Sequence, residues 1–103
     1  MFNVAFANTI SLTNCSQLKA PKTIVLVYAE WCPNCRHFLP EYKGYSNKAK
    51  YSGWKFYTVA DNDFHDVCGA KITVVPTLFK NNMNSVSQGE MTESQFDRFI
   101  TNK

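Results

Sequence analysis

The chain contains four cysteines, Cys15, Cys32, Cys35 and Cys68, and two histidines, His37 and His65. Cys32 and Cys35 fall within Trp31-Cys32-Pro33-Asn34-Cys35, two residues apart. A pair at this spacing, where a buried strand gives way to a helix, can exchange disulfides. Cys32 stands just before the first helical turn, so its sulfur faces unpartnered N–H groups and the positive end of the helix. Both favour thiolate, the nucleophilic form. Cys35 follows one turn later on the apolar face, near Cys32 but away from solvent. One exposed reactive sulfur and one protected sulfur make a pair that can form and resolve a mixed disulfide.

The same residue types offer other chemistries. Cys32, Cys35, His65 and Cys68 are a plausible zinc set by type. Against it, Cys35 belongs to a packing surface and His65-x-x-Cys68 follows a different strand. His37 lies five residues past Cys32, about 140° round the helix. It is poorly placed as the base for that cysteine and reads as a solvated side chain. Four cysteines could form two structural disulfides in a secreted domain. With 45% hydrophobic residues, however, the chain can build its own core. Cys15 is therefore expected to be a buried or half-buried filler, and Cys68 a thiol in or beside a short helix, with a regulatory role the less favoured reading. Lys43, Lys48, Lys50 and Lys55 read as a solvated face. A net charge of +3 is too weak to argue for nucleic acid.

The elements that must position the pair follow from periodicity. Thr23 to Ala29 is a nearly continuous apolar, β-branched run, as in a central strand covered on both faces. A helix is predicted from Pro33 to about Lys50, with Cys35, Phe38, Tyr42, Tyr45 and Ala49 on one face. Pro33 suits the first helical position, while Pro40 should kink the helix. Trp54 to Ala60 reads as a second strand and Asp63 to Ala70 as a short helix. Thr77 to Lys80 and Ser85 to Ser87 flank Asn81-Asn82-Met83-Asn84, a hairpin signal. Thr92-Glu93-Ser94-Gln95 is a capping box opening a last helix, with Phe96, Phe99 and Ile100 on one side. Phe2 to Phe6 as a first strand and Ser11 to Lys19 as a weak helix complete the order β-α-β-α-β-α-β-β-α. The expected fold class is α/β: one domain over residues 1–103, a central mixed sheet flanked by helices on both faces.

Ala29-Glu30-Trp31-Cys32-Pro33-Asn34-Cys35, Pro40 in the helix, Val75-Pro76-Thr77 and Phe79-Lys80-Asn81 together resemble the thioredoxin family. The element order matches over almost the whole chain, most loosely over the first 20 residues. The resemblance implies a thioredoxin fold and a protein-disulfide reductase. Cys32 would attack a substrate disulfide, and Cys35 would then attack Cys32 and release the reduced substrate. It further implies a cis peptide before Pro76, with Val75 backbone groups pairing with an extended substrate segment. Trp31 would form a platform beside Cys32, and Asp61 would be the acid that holds that tryptophan. Implied partners are disulfide-containing proteins and a separate thioredoxin reductase-type electron donor. No metal, flavin or nicotinamide site is visible, and a monomer is expected.

The departures are informative. Thioredoxins proper place Gly-Pro between the cysteines, where this chain has Pro33 and Asn34. The family's buried acid, six residues before the first cysteine, is Leu26 here, and its lysine partner aligns with Tyr57. That acid takes the proton from the buried cysteine. With Leu26 the proton must leave through water or another group, and a slower resolving step is expected. Phe38-Leu39-Pro40-Glu41-Tyr42 also resembles the helix of protein disulfide isomerase domains, which carry W-C-x-H-C. An oxidase or isomerase is thus one alternative, and a non-catalytic binding module another. The N-terminal stretch carries no Lys or Arg and is not a secretory signal. The C-terminus is no retention signal. No apolar run approaches the roughly 18 residues of a membrane span. The expected location is the cytoplasm, where thiols stay reduced.

Overall fold

Thr23–Tyr28 forms strand β2, and its first five residues are buried. The computed structural model describes residues 8–83 and 85–101. The alternation of a strand sends Ile24 and Leu26 into one core cluster and Val25 and Val27 into another. Both faces of β2 are therefore covered, which is why the run carries no polar alternation.

Beside β2 lies β3, Lys55–Ala60, paired in parallel with Val25 opposite Tyr57. β1, Thr9–Ser11, joins the outer edge of β3, also in parallel. On the other side, β4, Thr77–Lys80, pairs antiparallel with Leu78 opposite Leu26, and β5, Ser85–Gln88, closes the hairpin. The five-stranded mixed sheet has the order β1-β3-β2-β4-β5. The hairpin turn holds Asn81, Asn82 and Met83 at φ 53°, 60° and 64°. Asparagine tolerates that left-handed region better than most residues.

Helix α1, Pro33–Tyr45, and helix α3, Glu93–Thr101, pack on one face of the sheet. Their contact is aromatic: the Tyr45 and Phe96 rings stack at 4.5 Å, and Tyr42 meets Phe96 edge-on at 6.3 Å. The buried Tyr42 hydroxyl lies 2.8 Å from the Tyr57 carbonyl and 3.2 Å from that of Ile24. It thereby ties α1 to both central strands, and burial pushes its pKa well up. Helix α2, Asp61–Cys68, lies on the opposite face, where Phe64 and Val67 pack with Leu12, Leu18, Val25, Val27 and Val59. Gly69 ends it at φ 70° and donates its N–H to the His65 carbonyl at 2.8 Å, a left-handed helix end.

Several boundaries differ from expectation. Helix α1 stops at Tyr45, and Ala49 belongs to a separate 3-10 turn, Ala49–Tyr51. At the boundary the Ser46 hydroxyl turns back to the Lys43 carbonyl, and the Ser46 carbonyl accepts the Asn8 side-chain amide at 3.2 Å instead of a backbone N–H one turn on. The predicted Phe2–Phe6 strand lies outside the described residues. The strand at the sheet edge is β1, only three residues long. The weak helix at Ser11–Lys19 is a 3-10 turn, Cys15–Lys19, with Asn14 and Gln17 forming a capping box. The capping box at Thr92 is present as predicted: Gln95 Oε1 accepts the Thr92 N–H at 2.9 Å, and Thr92 Oγ1 accepts the Gln95 N–H at 3.3 Å.

Candidate active site

Cys32 is the N-cap of α1, in extended conformation at φ −89° and ψ 115°, and Pro33 opens the helix. Its Sγ accepts the Cys35 backbone N–H at 3.1 Å. An orphan donor of the first turn thus points at sulfur, an arrangement that stabilises negative charge there. The Sγ also lies 3.7 Å from the Val75 carbonyl oxygen. Both thiols are free and stand together in a small cluster with Ala29, bordered by Tyr28 and Val75.

Cys35 is 1% exposed. Its thiol pKa is pushed up to about 12, first by burial and then by its hydrogen bond with Cys32. The charges of Cys32 and Asp61 act in the same direction, and a backbone hydrogen bond from Ala29 opposes them. Cys35 is therefore held as a thiol until its proton has somewhere to go.

The expectation of an openly exposed Cys32 needs correction. The residue is only 5% exposed, because its sulfur is turned toward the Val75 carbonyl and packed beside Ala29 and Cys35. The exposed apolar residues nearby are Trp31 at 71% and Val74 at 42%. Trp31 and Asn34 adjoin the site in the chain, and Val75 and Pro76 reach it from the segment before β4. The Val75–Pro76 peptide is cis. Gly89 donates its N–H to the Pro76 carbonyl at 2.8 Å, and the Thr77 hydroxyl bonds to the Val74 carbonyl, which pins this segment.

Asp61 does not hold Trp31. Its carboxylate accepts the Asn62 N–H at 2.9 Å at the start of α2, and among the described residues no hydrogen bond joins it to Trp31. Its charge acts on Cys35 and helps push that thiol's pKa up. Leu26 is fully buried in the first core cluster. Tyr57 lies in the second cluster, and the residue in register with Leu26 is Thr58. Tyr57 therefore faces away from Leu26 and is no counterpart of a lysine beside that position.

Cys15 and Cys68 form a disulfide that joins the first 3-10 turn to the end of α2. This corrects the reading of a filler and a free thiol. The sequence gives no signal for it: the partners are 53 positions apart and meet only because both elements fold onto the same sheet face. It also removes the zinc alternative, since Cys68 has no thiolate to offer. His37 is exposed, with Nδ1 2.6 Å from Glu90 Oε2, and this contact raises its pKa. A second feature without a sequence signal is a surface cavity of about 250 Å³ lined by Tyr28, Ala29, Glu30, Cys35, Arg36 and Leu39.

A parallel–antiparallel sheet with a dithiol at the start of its central helix and a proline segment beside the sulfurs defines a class of thiol-active domains. The family model for thioredoxin matches residues 6–102, and the chain belongs to the thioredoxin family. No curated protein matches the sequence. Among solved structures, the thioredoxin of Malassezia sympodialis is similar at 20% identity and a TM-score of 0.74, over 98% of this chain and 95% of that one. A poplar thioredoxin h is similar at 19% identity and a TM-score of 0.71, over 91% and 94%. The thioredoxin of Plasmodium falciparum is similar at 24% identity and a TM-score of 0.69, over 87% and 94%. At such identities the likeness shows the shared fold.

Proposed function

We propose that this protein reduces disulfides in other proteins through a Cys32/Cys35 dithiol–disulfide cycle. The observation that carries the reading is the Cys35 N–H directed at Cys32 Sγ at 3.1 Å, with the Cys35 thiol hydrogen-bonded behind it. The Cys32 thiolate attacks one sulfur of a substrate disulfide, and the other sulfur leaves with the electron pair. Cys35 then gives up its proton and attacks Cys32 Sγ. The Cys32–substrate bond breaks, and the second substrate sulfur departs as thiolate. Trp31 and Val74 offer apolar surface to the segment bearing the disulfide, and the Val75 backbone offers it a pairing edge. Pro33 and Asn34 set the start of the helix, and Asp61 opposes charge on Cys35. Electrons return from a separate dithiol donor of the thioredoxin reductase type, in the cytoplasm.

Insulin reduction with dithiothreitol as electron source tests this. Turbidity should develop faster with the protein than without it, and Cys32→Ser should abolish the acceleration. A wild-type protein no faster than dithiothreitol alone would make the domain a non-catalytic module. The Cys15–Cys68 disulfide favours a second reading, an oxidase or isomerase working where disulfides persist. The reduction potential of the Cys32–Cys35 couple separates the two. A value near the cytosolic poise supports a reductase, and one near about −120 to −180 mV supports the alternative.

A further inference from the structure

Resolution of the mixed disulfide requires Cys35 to lose a proton from a nearly sealed position. Its packed neighbours in the small cluster, Ala29 and Val75, carry no side chain that can accept a proton. The cavity of about 250 Å³ is different: Cys35 forms part of its wall and it opens at the surface. At about 30 Å³ per water molecule, it has room for several. Tyr28, Ala29 and Leu39 make it largely apolar, and Glu30 and Arg36 supply its charges.

We propose that Glu30 receives, through water in this cavity, the proton that Cys35 releases as it resolves the mixed disulfide. The inference rests on the reductase reading and deepens it. The proton passes from Cys35 Sγ to water and from water to the Glu30 carboxylate. The sulfur lone pair forms the bond to Cys32 Sγ, the Cys32–substrate bond breaks, and its electron pair leaves on the substrate sulfur. The groups whose charge acts on Cys35 are Cys32, at the N-cap of α1, and Asp61, at the start of α2; the titratable groups that share the cavity wall with it are Glu30, Arg36 and the phenol of Tyr28. Asp61 is the competing carboxylate. Its charge acts on Cys35, but it does not line the cavity that Cys35 opens onto.

The test is a stopped-flow reaction of the reduced protein with dipyridyl disulfide, a neutral reagent that releases coloured thiopyridone. Two releases are read: the first from attack by Cys32, the second from resolution by Cys35. General bases contribute typically 10² to 10⁴-fold, and water substitutes in part, so Glu30→Gln should slow the second release about tenfold or more. The acidic limb of its pH profile should disappear, and Glu30→Asp should restore that limb. Leu39→Phe, which fills the cavity without replacing a titratable group, should slow the second release as well. An unchanged second release and profile in Glu30→Gln would overturn the proposal, as would a loss of the limb in Asp61→Asn alone. No first release from the wild-type protein would instead refute the reductase reading and remove the proton route with it.

Discussion

Replacing Cys15 and Cys68 together by serine should cost this domain a large part of its stability. The bridge joins residues 53 positions apart. Closing a loop of about that length removes roughly 14 cal/mol/K of entropy from the unfolded chain, or about 4 kcal/mol at 25 °C. Domains of this kind are typically stable by only about 5–15 kcal/mol. In urea, with a slope of about 1–1.5 kcal/mol/M, the midpoint should fall by roughly 3 M. The double variant is the proper comparison, because a single one leaves a thiol that could exchange with Cys32. Urea unfolding followed by circular dichroism, without reductant, gives the two midpoints. The wild-type protein in dithiothreitol should move toward the variant. A double variant that unfolds within about 1 kcal/mol of the wild type would refute the reasoning, because the predicted loop entropy would then be absent.

Other outcomes follow from single groups. Tyr42→Phe leaves the Ile24 and Tyr57 carbonyls without their buried donor, and should destabilise the fold by about 1–3 kcal/mol in chemical denaturation. His37 should titrate above its ordinary value of 6.5 because Glu90 holds its charged form, and Glu90→Gln should bring it back down by NMR. The sign is that of a raised pKa: the pair's contribution is complete below the unfolded value and fades as pH rises through the folded one. Cys35 should stay a thiol, by ultraviolet thiolate absorbance, until the pH nears about 12. The unfolded chain ionises this thiol earlier, so stability should fall as pH rises from about 9 toward that value.

The sequence was most informative where one local cause decides the outcome. Thr23–Tyr28 is β-branched and apolar throughout because both of its faces are covered, and that reads directly as a central strand. Cys32 and Pro33 mark the start of α1, and Thr92 with Gln95 marks the start of α3. Features that depend on distant partners were not legible. The apolar period runs on to Ala49, yet the helix ends at Tyr45, where Asn8, 38 positions before Ser46, takes the Ser46 carbonyl. The Cys15–Cys68 bond, the covering of Cys32 by Val75, and the cavity wall shared by Glu30 and Cys35 all arise when separate segments meet. No spacing rule encodes such meetings.

The near-complete cover over Cys32 carries a consequence for what this protein can act upon. On the proposed reductase reading, a sulfur recessed beside a protruding indole and a proline-bearing segment would sort its targets by shape before chemistry begins. A cystine lying flat in a rigid surface cannot thread its bond into line with the attacking atom. One carried on a supple loop or a frayed tail can, so the selectivity of the proposed reductase would be a filter on the flexibility of the target.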